Sequence, residues 1–296
     1  MHSNSTSTRA RASWLPLALL ALSCTKFASE LDQLDTAGGA LEGEPSLDPS
    51  GGDWSCLPGG NGPALSGAAG TGANATAAVE MPPAARAPLT YSFSVVDFVS
   101  AAAVERVRVR ACFRPDVRCE SPASAEVEPG SDGRVQVTTF GGFNGYLEIL
   151  GEGMLPQLLF FAAPWSPVLL AQSQRQSVQL LPVRVLSALG DSARLPLDPQ
   201  SGVIAVTAYD CAGSAAAGVR LEIDTGSVPY AFVDDLPVAN QDSTSEQGLA
   251  GFVNVPPGVV VVSGFPHGRA EAVSVESLLV RTGWLSSVSL QPGSAP

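Results

Sequence analysis

From residue 89 to residue 290 the chain is a succession of short β-forming runs separated by turn residues. The run 106–113 (RVRVRACF) alternates apolar and polar residues. A period of two places its two valines, Ala111 and Phe113 on one face and its arginines on the other. Turn signals follow at Asp132-Gly133, Gly141-Gly142 and Asn144-Gly145. Short runs at this spacing predict an all-β fold.

The runs form two series with one short helix between them. The helix is predicted over 183–194, where Gly190 and Pro196 limit its length. We therefore predict two tandem β-sandwich domains (transthyretin/Ig-like), residues 88–182 and 200–293, joined by a helical connector over 183–199. Strands are predicted at 90–98, 106–113, 126–128, 134–140, 146–150, 157–162 and 178–181, then at 203–208, 219–223, 230–233, 250–255, 259–263, 272–279 and 285–290.

The two series resemble each other in the order of their strand and turn residues. In the first, Val107 precedes Gly133 by 26 residues, and Gly145 follows 12 residues later. In the second, Val219 precedes Gly248 by 29 residues, and a further glycine follows 10 residues later. Such spacing predicts a repeat of one β unit.

The second series also resembles a known family. A D-x-x-G turn at Asp210 and Gly213, a strand that begins near Gly218, and the sequence GFVNVPPG (251–258) are similar to a carboxypeptidase regulatory-like domain. The resemblance implies a transthyretin-like sandwich, and Cys211 inside the turn departs from the common pattern. The first series fits more loosely, through Asp97, Val107, Asp132-Gly133 and Gly145-Tyr146. Such modules contribute stability, spacing or partner contacts.

The first 24 residues predict export. Arg9 and Arg11 precede the ten-residue apolar run 14–23, which is too short to span a bilayer and typical of a signal-peptide core. The run ends in Ala21-Leu22-Ser23-Cys24, which resembles a bacterial lipobox, although leucine is commoner at the position of Ala21. The resemblance implies a signal peptide over 1–23, lipidation of Cys24 and, without Asp after the cysteine, the outer membrane. The alternative is an ordinary secretory peptide that leaves Cys24 a plain thiol.

Residues 24–87 are rich in Gly, Ala, Pro, Ser and acids, a composition that predicts a mostly disordered leader. The island 53–57 (DWSCL) is an exception, because a Trp beside a Cys is expected to dock on a folded domain.

Without Arg9 and Arg11 the chain has 14 basic and 28 acidic residues, a formal charge of −14. Scattered basic residues in such excess acid exclude nucleic acid as the expected partner.

Lipidation of Cys24 leaves four cysteines, an even number that predicts two disulfides in an exported protein. Cys112 and Cys119 flank a six-residue loop that can fold back on itself, so we favour that pair. Cys56 with Cys211 follows by elimination only. No closely spaced cysteine pair or second nearby histidine predicts a zinc site, and no metal or cofactor is expected.

Little in the sequence predicts catalysis. His267 lies in a Pro-His-Gly turn without a nucleophile signature. Asp234, Asp235 and Asp242 are read as solvated loop carboxylates rather than calcium ligands, since no D-x-D-x-D-G run is present. The apolar segment 154–165 is expected to be core. Within it, Trp165 is the best candidate for a protein or glycan contact.

These patterns favour a non-catalytic, lipid-anchored envelope protein that acts as a structural or protein-binding module. The alternative is a surface adhesin that binds carbohydrate or protein. A hydrolase using His267 or loop carboxylates is a remote third hypothesis. The expected partners are the membrane, through the lipid, and an envelope protein or glycan of unknown identity.

Overall fold

The structure is a computed structural model that describes residues 52–57, 88–130, 133–162, 177–233 and 236–292, with the backbone alone at 161 and 162. The predicted signal peptide, Cys24, the leader apart from 52–57, Trp165, Asp234 and Asp235 lie outside these ranges. In the described ranges, no helix has both the length and the apolar character needed to span a membrane. The predicted all-β class is confirmed.

The first series forms six strands in two sheets. These strands are β1 (Pro88–Asp97), β2 (Val107–Phe113), β3 (Arg134–Phe140), β4 (Asn144–Gly151), β5 (Gln157–Ala162) and β6 (Ser177–Leu180). Antiparallel β3 and parallel β6 flank β1, while β4 lies between β2 and β5 and is antiparallel to both.

A single described helix, α1 (Val183–Ser192), follows the first series where the sequence predicts it. It ends two residues early because Arg194 adopts a left-handed conformation (φ +53°) that cannot continue the helix. The second series then forms β7 (Gly202–Ala208), β8 (Arg220–Ile223), β9 (Val228–Val233), β10 (Leu236–Ala239), β11 (Leu249–Val255), β12 (Gly258–Phe265), β13 (Ser274–Val280) and β14 (Leu285–Leu290).

The second series repeats the topology of the first. Antiparallel β11 and parallel β14 flank β7, as β3 and β6 flank β1. Antiparallel β8 and β13 flank β12, as β2 and β5 flank β4. The extra hairpin β9–β10 extends the second series beyond β11. Six strands in the same order and direction support the predicted repeat.

One eight-stranded sheet runs through both series, because β5 pairs in parallel with β14. The first core lies between β3-β1-β6 and the β2 and β4 strands. The second core lies between β13-β12-β8 and one face of the strands β4, β5, β14, β7, β11 and β9. We refer to β1–β6 with the first core as the first sandwich and to β7–β14 with the second core as the second sandwich.

Strands β4 and β5 are buried on both faces, which explains their apolar sequences. Leu147, Ile149 and Leu159 face the first core, whereas Tyr146, Leu158 and Phe160 face the second core. Strands covered on both sides read as continuous apolar runs rather than as alternating ones. For Leu155, Leu158 and Phe160, the core reading of segment 154–165 is confirmed.

Three local predictions are wrong. Asn144-Gly145 begins strand β4 instead of forming a turn, because the turn closes earlier, at Gly141-Gly142. The predicted strand 126–128 does not form, because only Val127 pairs, in an isolated bridge with Val109. Strand β10 was not predicted, because Pro237 in a four-residue run argues against a strand, yet proline is tolerated at a sheet edge.

Gly251 gives a test of the packing on the face of β11 that points away from the second core, where Tyr230 and Val253 form a small apolar cluster. A Cβ there would press against the Ile204 carbonyl oxygen and lie 2.7 Å from the Tyr230 hydroxyl. Gly251→Ala should therefore lower the free energy of unfolding by about 1–3 kcal/mol, measured by denaturant titration. Gly226→Ala is the control, because a Cβ meets nothing within 4 Å there. Equal stability of the two variants would contradict this packing.

Candidate functional site

Residues 52–57, which we call the N-terminal strap, lie against the second sandwich. A disulfide joins Cys56 to Cys211, with the Cα atoms 5.7 Å apart. The Asp53 N–H donates a hydrogen bond to Oδ2 of Asp210 (2.9 Å), and the Cys211 N–H donates to the Asp53 carbonyl oxygen (2.8 Å). Trp54 is half-buried against the second core. The strap is thus held by a covalent bond, backbone hydrogen bonds and apolar packing.

The turn that receives the strap follows β7. The Gly213 N–H donates to the Asp210 carbonyl oxygen (3.0 Å), and the Ser214 N–H donates to Asp210 Oδ1 (2.8 Å). Gly213 has a φ of +76°, a conformation that glycine adopts without strain. The predicted D-x-x-G turn is confirmed. One carboxylate oxygen of Asp210 holds the turn and the other holds the strap, and the unusual Cys211 makes the covalent contact.

Asp53 has its own local support within the strap. Its Oδ1 accepts a hydrogen bond from the Ser55 backbone N–H (2.9 Å). This bond, together with the Ser55 side chain, holds the pKa of Asp53 below its usual value. The carboxylate is therefore ionised at neutral pH and shapes the turn that leads to Cys56.

A second cluster, which we call the polar joint, links the two sandwiches and consists of Glu148, Arg110 and Arg281. Glu148 lies on β4, and its side chain is 4% exposed. Arg110 on β2 donates from Nε (3.0 Å) and Nη2 (2.6 Å) to Oε1 of Glu148. Arg281, between β13 and β14, donates to Oε2 (2.6 Å). Both carboxylate oxygens are bonded, so the buried charge is compensated from both sandwiches.

The Cys112–Cys119 disulfide closes a loop that packs on the polar joint. Its Cα atoms are 5.3 Å apart. The Tyr146 hydroxyl donates to the Asp116 carbonyl oxygen (2.5 Å), and Arg281 Nη2 donates to the Val117 carbonyl oxygen (2.9 Å). Both cysteine pairs that the sequence favours are bonded in the structure.

Arg114 makes a further link between the sandwiches. It follows β2, and its Nη1 donates to Glu276 Oε2 (3.0 Å) and to the Ser277 carbonyl oxygen (3.0 Å), both on β13. Its guanidinium carbon lies 5.8 Å from the centre of the Phe160 ring. Arg114 therefore binds a backbone group at the edge of β13 as well as a carboxylate.

A shallow groove of about 490 Å³ lies in the first sandwich beside the loop 98–106. Most of its polar side chains either form hydrogen bonds within the loop or form ion pairs at the surface. Asp97 Oδ1 accepts hydrogen bonds from the Val99 and Ser100 N–H groups (2.8 Å each). Arg106 and Glu152 form an exposed ion pair (2.6 Å). This arrangement stabilises the loop and brings no nucleophile together with a base.

The structure does not gather the other sequence-predicted site residues. His267 is exposed in the turn between β12 and β13, and Asp242 is exposed beside β8. In the part of the chain that the structure describes, no three histidine, cysteine or acidic side chains form a metal cluster. Sequence reasoning missed the polar joint. An acidic residue inside the apolar run 146–150 could have indicated that Glu148 is buried and paired with a basic residue. Nothing in the neighbouring sequence indicates that Arg281 is one of its partners.

Comparison with known proteins does not assign this chain to a family. No family model and no curated protein matches the sequence. Among solved structures, the Bacillus anthracis TIE protein shares 11% identity over 69% of this chain, with a TM-score of 0.24. This chain covers 34% of that protein. A streptococcal ancillary pilin shares 10% identity with a TM-score of 0.24, and the match covers 69% of this chain and 68% of the pilin. A minor pilin of Streptococcus agalactiae shares 8% identity with a TM-score of 0.23, and the match covers 70% of this chain and 97% of that pilin. Similarity this distant carries no argument about function.

Proposed function

We propose that this chain is a non-catalytic, lipid-anchored module of the bacterial cell envelope, with a structural or protein-binding role. The lipobox-like sequence at Cys24 supplies the membrane attachment, and the two transthyretin-like sandwiches form the body. The usual sorting rule favours the outer membrane.

The observation that supports the proposal most is the N-terminal strap. A strap bonded to the body through Cys56 and Cys211 would pass a pull on the amino-terminal part of the chain to the body, which suits a chain anchored through Cys24. Disulfides persist in oxidising compartments outside the cytoplasm, which agrees with export.

The buried charges favour a structural role over catalysis. Catalytic groups are arranged toward a cleft where a substrate can reach them. Here the side chains of Glu148 and Arg281 bind each other, and Arg114 binds β13, so these groups hold the two sandwiches together.

Lipidation can be tested directly in cells. Cys24→Ser should abolish incorporation of labelled palmitate and move the protein out of the membrane fraction, because the acyl chains supply the membrane affinity. The double variant Cys56→Ala/Cys211→Ala is the control and should keep the label. Full labelling of Cys24→Ser would refute lipid attachment at this residue.

A further inference from the structure

The Cys56–Cys211 disulfide divides the chain between Cys24 and β1 into two stretches of equal length. Residues 25–55 connect Cys24 to Cys56, and residues 57–87 connect Cys56 to Pro88, with 31 residues in each. We propose that only the first stretch is the membrane tether, and that the membrane holds the body at Cys211 rather than at Pro88. The inference rests on the proposed lipidation of Cys24.

The covalent path supports this assignment. A pull from Cys24 reaches Cys56 and crosses the two sulfur atoms to Cys211, so residues 57–87 carry no tension. The hydrogen bonds between Asp53 and the Asp210 turn hold the strap beside the disulfide at 2.8 and 2.9 Å. The half-buried Trp54 adds apolar contact with the second core.

The attachment point lies at the end of a central strand. Cys211 follows Ala208, the last residue of β7, which is paired with β11 on one side and with β14 on the other. The Tyr209 N–H donates to the Leu290 carbonyl oxygen (2.9 Å), which extends the contact with β14. By contrast, β1 pairs with β3 on one side, but its pairing with β6 on the other side covers only four residues. The disulfide therefore directs a pull into the more extensively paired strand.

The disulfide also sets how far the body can reach from the membrane. A fully extended chain spans about 3.3–3.6 Å per residue, so the 25–55 tether reaches about 110 Å. Opening the disulfide would add the second stretch and roughly double that reach. For a flexible chain, the root-mean-square separation would rise from about 30 Å to about 45 Å.

Site-specific cleavage tests the path without any lipid. Ectodomain that carries Cys24→Ser and a fluorescent amino-terminal tag receives a protease site after Gly70, in the stretch that we propose to be slack. After cleavage, the tag should stay with the body on a non-reducing denaturing gel and separate only after reduction. In the matched control, with the protease site after Gly39, the tag should separate without reductant. Separation without reductant after cleavage at Gly70 would overturn the proposal.

The same cleavage on membranes separates this inference from the proposed function. Full-length protein with the site after Gly70 should sediment with membranes after cleavage and be released by reductant. Adding Cys56→Ala/Cys211→Ala should release the body by cleavage alone, and retention of that variant would also overturn the proposal. If the uncleaved protein never sediments, lipidation at Cys24 fails, while the gel result for the strap stands.

Discussion

Replacing Glu148 by alanine should lower the free energy of unfolding by about 3–5 kcal/mol, the usual cost of removing one partner from a buried ion pair. The side chain is 4% exposed and accepts hydrogen bonds from Arg110 and Arg281. Without it, two guanidinium groups face each other across the junction of the sandwiches with no compensating charge. At about 2–4 °C per kcal/mol for a chain of this size, the melting temperature should fall by about 10 °C.

Glu152→Ala is the matched control for this prediction. Glu152 forms an ion pair of the same length, 2.6 Å, with Arg106, but its side chain is 68% exposed. Exposed pairs contribute about 0–1 kcal/mol, so this variant should unfold close to the wild-type midpoint. If Glu148→Ala were as stable as Glu152→Ala, the polar joint would not hold the sandwiches together.

Removing the long disulfide should have an effect of similar size. Cys56 and Cys211 are 155 residues apart, and closing a loop of that length restricts the unfolded chain by about 5 kcal/mol in the loop-entropy model. Residual structure in the unfolded chain usually lowers the measured value, so Cys56→Ala/Cys211→Ala should lose about 2–5 kcal/mol. Thermal unfolding of the oxidised ectodomain under non-reducing conditions measures this loss.

Two controls define the result. Cys24→Ser removes a cysteine that takes part in neither disulfide and should leave the melting temperature unchanged. Wild-type ectodomain in reductant should approach the double variant, apart from the contribution of Cys112–Cys119. A double variant that melts with the wild type would contradict the strap as a structural cross-link.

Strand periodicity predicted most of the fold, because each strand carries its own apolar pattern. The bounds of β3, β5 and β14 agree with the prediction, and most other strands differ by a few residues at their ends. The predicted strand 126–128 is reduced to one isolated bridge between Val127 and Val109. The β9–β10 hairpin was only half predicted, since Pro237 hides a strand that lies at an edge. Asn144-Gly145 was misread because an Asn-Gly pair is a turn signal wherever it occurs.

The pairing of β5 with β14 could not be predicted from sequence, because both strands look like ordinary core strands. The same is true of the polar joint. Its acid and one arginine lie on neighbouring strands, β4 and β2, but Arg281 comes from 133 residues away. Long-range partners of this kind depend on how two sandwiches meet, which no local pattern records. The cysteines gave more information about long-range contacts than the strands did, because four cysteines in an exported chain can form only a few sets of disulfides.

The proposal that the chain is a lipid-anchored envelope protein is tested most directly by intact-mass measurement of the protein extracted from cell membranes. We predict a chain that begins at Cys24, with the added mass of acyl groups on that residue, and with four cysteines in disulfides. A soluble cytosolic chain that retains Met1 and carries no acyl group would contradict the proposal.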